Sequence, residues 1–209
     1  MKVVLSFILS TIAIFMYIKF NGTNRKLCMF AMLSSTLGDI FMTDILHIGS
    51  MSTYFGAAFF ILAHIIYALC FIFAIKTKQY RYFNYGFYIG LVIVLITVIA
   101  LTLLMFIKTD RIQGMYIPLL AYLFFIGLNL VSQYSYAYSE KNTRLFLMLG
   151  MFLFIISDFL VFLPMLNICQ ESMNYNDLIW FTYVPAQLLI TIFNSDIYFT
   201  NQAKWFGKI

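Results

Sequence analysis

The chain has 209 residues, of which 63% are apolar, 20% aromatic and only 10% charged, against about 45–50% apolar and about 25% charged in soluble domains. That balance excludes a soluble globular protein, and 24 Phe beside only 3 Pro and 10 Gly exclude low-complexity and collagen-like chains. The formal net charge of +5 is read loop by loop, as membrane orientation and not as nucleic-acid binding.

Seven apolar runs are long enough, the first only marginally, to cross about 30 Å of hydrocarbon at a rise of about 1.5 Å per residue. They predict helices over Val3–Ile18, Leu27–Leu46, Thr53–Ile75, Tyr85–Ile107, Met115–Tyr138, Leu145–Leu163 and Leu178–Phe199. The first follows Lys2 as a signal peptide would. No small-residue cleavage site comes after it, only Lys19, Asn21, Arg25 and Lys26, so it reads as a retained helix. Short loops join all seven, giving an all-α polytopic bundle with one transmembrane domain over residues 1–209. Cys28, Cys70 and Cys169 are odd in number and lack a CxxC pair, so no disulfide framework and no metal site is expected.

Basic residues set the direction of the bundle. Lys19, Arg25 and Lys26, then Lys76, Lys78 and Arg81, then Lys141 and Arg144, then Lys204 and Lys208 fall on one side. Lys2, Lys108 and Arg111 fall on the other. The positive-inside rule places the N-terminus outside and the C-terminus in the cytoplasm. Tyr80, Tyr82, Tyr85, Trp180 and Trp205 sit near helix ends, as interfacial aromatics do.

With directions assigned, depth follows from residue counts. Asp39 in the second helix and Asp158 in the sixth lie at nearly the same depth in the outer half. His64, Tyr183 and Gln187 fall in the same slab, roughly 10 Å thick by the helical rise. Leu37-Gly38-Asp39-Ile40-Phe41 followed by a helix with His64 parallels Ile156-Ser157-Asp158-Phe159-Leu160 followed by a helix with Gln187. The fourth helix separates the two units in a weak parallel 3+1+3 repeat of the kind known in some transporters.

An aspartate at such depth costs at least about 2.5–3.5 kcal/mol, so it faces a cavity or a partner. The bland reading, an aspartate that merely ties helices together, is weaker for two at matching depth than for one. Ser35 precedes Asp39 by one turn, and Gly38 lets a neighbouring helix approach. Ala57, Phe60, His64, Tyr67 and Phe71 form one helical stripe, and Trp180, Tyr183, Gln187 and Asn194 another. Asn129 and Gln133 count as deeper toward the inner leaflet and are expected to be structural. A carboxyl pair of this kind suits an oxocarbenium-ion reaction, in which one carboxyl delivers a proton and the other, ionised, stabilises positive charge or activates water. The apolar flanks Phe154, Phe159 and Phe162 lean toward Asp158 as the acid. Residue types alone fit a proton-coupled transporter equally well.

The motifs discriminate further. Ser34 to Met42 around Gly38-Asp39, Gly56 to Tyr67 with Ala63-His64-x-x-Tyr67, Ser157-Asp158, and Tyr183-x-x-Ala186-Gln187 closely resemble the YhhN-like lysoplasmalogenase family over about residues 27–195. The resemblance implies a multi-pass membrane hydrolase. Such an enzyme cleaves the vinyl-ether bond of lysoplasmalogen to a fatty aldehyde and glycerophosphoethanolamine or glycerophosphocholine, with no cofactor. It also implies that Asp39 and Asp158 are the catalytic pair, and Ser35, His64, Tyr67, Tyr183 and Gln187 are the expected substrate contacts. Family members usually have eight helices and a Lys-Pro step early in the chain; here seven are counted and Lys19 is followed by Phe20. The expected partners are a lysophospholipid and the bilayer of a bacterial inner membrane or a eukaryotic endomembrane.

Overall fold

A computed structural model of the chain describes residues 2–77, 83–108, 116–139, 144–165 and 173–194. Among these residues it is all-helical, with α1 Lys2–Phe20, α2 Thr23–Met42, α3 Ser50–Thr77, α4 Phe83–Lys108, α5 Tyr116–Ser139, α6 Arg144–Met165 and α7 Met173–Phe193. Val3–Phe20 and Met51–Ile75 are long and apolar enough by themselves to cross a membrane. Lys78, Tyr80, Arg81, Tyr82, Arg111, Lys141, Cys169, Lys204, Trp205 and Lys208 lie outside the described residues.

Backbone breaks move two of the expected helix boundaries. Asn21 (φ 43°) and Gly22 (φ 132°) adopt left-handed conformations that end α1, so α2 starts at Thr23 and not at Leu27. At its other end α2 stops at Met42 instead of Leu46, because Asp44 (φ 48°) leaves the helix and accepts the Ile48 N–H on its Oδ1 at 3.0 Å. Asp44 thus makes the side-chain turn its short carboxylate favours. The last helix starts earlier than expected, at Met173, and is described to Phe193.

Packing follows the small residues. α2 lies closely along α3, where a Cβ added at Gly38 would come within 3.0 Å of the Phe60 ring. α6 lies along α7, where a Cβ at Gly150 would meet Leu189 at 3.0 Å and the Ala186 carbonyl at 3.3 Å. α1 covers α2 and α7, and α5 joins α3 to α6. α4 packs on α5 and leaves Tyr88, Ile89, Val92, Ile93 and Ile96 exposed. Large apolar side chains such as Phe7, Ile18, Phe152 and Phe181 face outward, while Ser, Thr, Asn, Gln and Asp side chains are buried among the apolar core.

Arg25 corrects an expectation. It is neither in a loop nor at the surface; it belongs to the first turns of α2 and is 2% exposed. Its guanidinium donates to the Thr191 carbonyl at 2.6 Å and the Ile192 carbonyl at 3.1 Å. The last turn of a helix leaves carbonyls without intrahelical donors and carries partial negative charge, so Arg25 ties the start of α2 to the end of α7.

Candidate active site in the bundle interior

Asp39 sits near the end of α2 and Asp158 in the second half of α6, and both are almost fully buried. Asp39 is held tightly. Its Oδ2 accepts the Ser6 hydroxyl from α1 at 2.5 Å and the Tyr183 hydroxyl from α7 at 3.0 Å. Asp158 is held loosely: its Oδ1 accepts the Tyr122 hydroxyl from α5 at 3.3 Å, and its Oδ2 lies 3.4 Å from His64 Nε2.

The remaining expected residues join the same interior. Tyr67 donates its hydroxyl to Gln187 Oε1 at 2.6 Å, and Gln187 Nε2 donates to Ser35 Oγ at 3.4 Å. Ser35, His64, Tyr67, Tyr183 and Gln187 are all buried. Phe154 stands among them, with its ring centroid 5.0 Å from His64, 6.3 Å from Tyr67 and 6.2 Å from Tyr183. A single aromatic ring therefore borders the groups around both carboxylates.

The donors cross between the two halves of the chain. His64 on α3 faces Asp158 on α6, whereas Tyr183 and Gln187 on α7 serve Asp39 and Ser35 on α2. Neither half completes a site alone.

Several placements depart from expectation. Asn129 is not a remote structural group: it lies 3.1 Å from His64 Nδ1, and Gln133 Nε2 donates to Asn129 Oδ1 at 3.1 Å. Counted from the observed helix starts at Ser50 and Tyr116, His64 and Asn129 lie at similar depth, and the later start assigned to the third helix had hidden this. Asn194 leaves the Tyr183–Gln187 stripe and lies buried beside Cys28 at the Arg25 end. Of the flanks of Asp158, Phe154 is buried but Phe159 points outward at 60% exposure, while the Phe162 side chain lies outside the described residues.

Ser6 and Tyr122 had no place in the sequence reading. Each carries a weak signal at helical spacing: Ser6, Ser10 and Ala13 form a small-residue face on α1, and Tyr122, Asn129 and Gln133 form a polar face on α5. α1 is part of the site, because Ser6 donates to Asp39 and Ser10 shares a 2.6 Å hydrogen bond with Thr36.

A narrow crevice opens between α5 and α6. It is lined by His64, Asn129, Gln133 and Asp158 together with Ile126, Leu130, Met151, Phe154 and Ile155, and it leaves about 10 Å³ free, room for about one water molecule. Among the described residues no group of three or more metal-ligating side chains converges.

The sequence profile of the YhhN family matches residues 1–193. The chain belongs to the YhhN family. The matched span includes α1 and both aspartate helices, so the surroundings of Asp39 and Asp158 in this YhhN protein fall within it. No match was found among curated proteins or among solved structures. Family membership is consistent with a hydrolase of the lysoplasmalogenase type and with a membrane protein.

Proposed function

We propose that the protein is a multi-pass integral membrane hydrolase that cleaves the vinyl-ether bond of lysoplasmalogens. The observation that carries the reading is the pair of buried carboxylates, each with a polar neighbour from the opposite half of the chain, inside a family-matched bundle. Outward apolar faces and buried polar groups support a bilayer as the solvent. The charge bias supports an outside N-terminus, and the crossed donors suit two parallel units separated by α4.

The carboxyl environments suggest different roles. Asp39 is bonded by hydroxyls alone, and a hydroxyl can donate to a carboxylate or accept from a carboxylic acid. Such partners can serve Asp39 in both protonation states, and we assign it the general-acid role. Asp158 is faced by an imidazole nitrogen and a phenol, a setting that suits the ionised member of the pair. This reverses the lean drawn from flanking aromatics, one of which, Phe159, gives Asp158 little shielding.

In the reaction, Asp39 transfers its proton to the alkenyl carbon and leaves an oxocarbenium ion. Asp158 stabilises that charge and takes a proton from the attacking water. The hemiacetal then collapses: its hydroxyl proton passes to the departing glyceryl oxygen, and the C–O bond breaks to give a fatty aldehyde and an alcohol. A proton returning from Asp158 to Asp39 resets the site. Ser35, Tyr67, Tyr183 and Gln187 provide the polar wall near the head group, and the lipid chain enters between helices. Aldehyde release from lysoplasmalogen by detergent-purified protein tests the assignment, because a proton-coupled transporter with the same carboxylates turns nothing over without a membrane.

A further inference from the structure

A row of polar side chains runs through α5 and α3 to Asp158, and its members have a direction. Gln133 Nε2 donates to Asn129 Oδ1 at 3.1 Å across one turn of α5. With its oxygen occupied in this way, Asn129 presents its amide nitrogen to His64 Nδ1 at 3.1 Å. An amide nitrogen only donates, so Nδ1 is the accepting, unprotonated nitrogen of the ring. The proton of a neutral imidazole then resides on Nε2, the atom 3.4 Å from Asp158 Oδ2. An imidazolium would set one N–H against another at Nδ1.

We propose that Asn129 and Gln133 are positioning residues that hold His64 as the neutral Nε2–H tautomer, keeping its proton on the nitrogen that neighbours Asp158. Sequence reasoning placed both residues outside the site. The tautomer rests on the orientation of the Asn129 and Gln133 amides, and its catalytic use on the hydrolase reading above.

Packing around the ring favours one orientation. Phe154 stacks on His64 with centroids 5.0 Å apart and planes at 29°. Tyr122 meets it edge-on at 5.5 Å and 83°, while its hydroxyl bonds the other oxygen of Asp158. Exchanging the two ring nitrogens by a flip would require both neighbours to give way. The contact from Nε2 to Asp158 is longer than a formed hydrogen bond. Nε2 is buried beside the carboxylate but makes no hydrogen bond to it in this structure, an open arrangement that can close when a reacting group arrives.

The far end of the row is open. Gln133 is buried, and its Oε1 has no hydrogen-bond partner among the described residues. All four members of the row line the crevice between α5 and α6. A water molecule there would donate to Gln133 Oε1 and complete the row without changing its direction.

The chain has two histidines, and His47 lies on an exposed turn after α2, so a His47→Gln background isolates His64. The full chain, labelled with ¹⁵N in the histidine ring and purified in detergent, is observed by NMR at neutral pH. The expected spectrum has one protonated nitrogen, identified as Nε2 from its couplings to the ring carbon-bound protons, and one unprotonated nitrogen, Nδ1. In Asn129→Leu the two resonances move toward each other as the tautomers mix, and Gln133→Met moves them the same way by less. Should Asn129→Leu fail to fold, Gln133→Met carries the test.

An Nδ1–H tautomer or an imidazolium in the unsubstituted site overturns the proposal, as does an unchanged spectrum in the folded variants. Turnover of lysoplasmalogen by the same samples gives the second readout: kcat falls by about 10²-fold, as for a misplaced catalytic group, with KM unchanged. A loss confined to KM contradicts the positioning role. If the unsubstituted protein releases no aldehyde, the hydrolase reading fails, and the NMR result still decides the tautomer.

Discussion

His64 Nε2 stands 3.4 Å from Asp158 Oδ2, and the two residues belong to helices from opposite halves of the chain. Tyr183 and Asp39 form the reciprocal pair, with a hydrogen bond of 3.0 Å from α7 back to α2. Each acid thus has one neighbour from the opposite half beside a hydroxyl donor from its own, Ser6 for Asp39 and Tyr122 for Asp158, and the carboxyls are oriented only when the helices are assembled.

Removing a donor from Asp39 should impair the chemistry more than the fold. Tyr183→Phe keeps the ring that packs against Phe60, Phe154 and Trp180 and removes only the hydroxyl. A lost buried hydrogen bond costs about 1 kcal/mol, or up to about 3 kcal/mol where the acceptor is charged. The expected outcome is a kcat reduced by about 10-fold or more, measured by aldehyde release, with helicity by circular dichroism unchanged. Ser6→Ala should act in the same direction through α1.

Arg25 should govern stability and leave the chemistry alone. Its guanidinium satisfies two terminal carbonyls of α7, and hydrogen bonds to charged groups contribute about 1.5–3 kcal/mol each. Arg25→Met should lower the unfolding free energy in detergent by about 2–4 kcal/mol. Thermal unfolding followed by circular dichroism checks this, and protein that remains folded should keep its KM.

Gly38 marks a close approach of α2 to α3. Gly38→Ala puts a methyl group 3.0 Å from the Phe60 ring, and overpacking of this kind costs about 1–3 kcal/mol. The same substitution displaces the helix beside Asp39, so kcat should fall together with the melting temperature. At Gly56 the added carbon would come 2.5 Å from Met42 Cγ and 3.2 Å from the Met42 backbone nitrogen. Gly56→Ala should therefore cost at least as much as Gly38→Ala, and the difference between the two melting temperatures is the measurement.

Seven apolar runs were legible because helix length and hydropathy act within a single segment. Asp39 and Asp158 were legible because a carboxylate deep in an apolar run is conspicuous by itself. Arg25 was not, since its burial depends on the end of α7, far away in sequence, and residue type alone places an arginine in a loop. Ser6, Tyr122 and Asn129 were missed for a related reason. Small hydroxyls, a tyrosine and an amide are ordinary in helices, and only the relative rotation of α1, α3 and α5 turns them toward the carboxyls. The helix boundaries at Met42 and Ser50 depended on left-handed residues, Asp44 and His47 among them, whose conformation the apolar pattern does not encode.

The most direct test is aldehyde release from lysoplasmalogen by the detergent-purified chain, measured beside Asp39→Asn and Asp158→Asn. The account predicts turnover without any membrane gradient, and a loss of at least about 10²-fold in each variant while both keep a folded helical spectrum. Absence of aldehyde from the unsubstituted protein, or full activity in either folded variant, would contradict it.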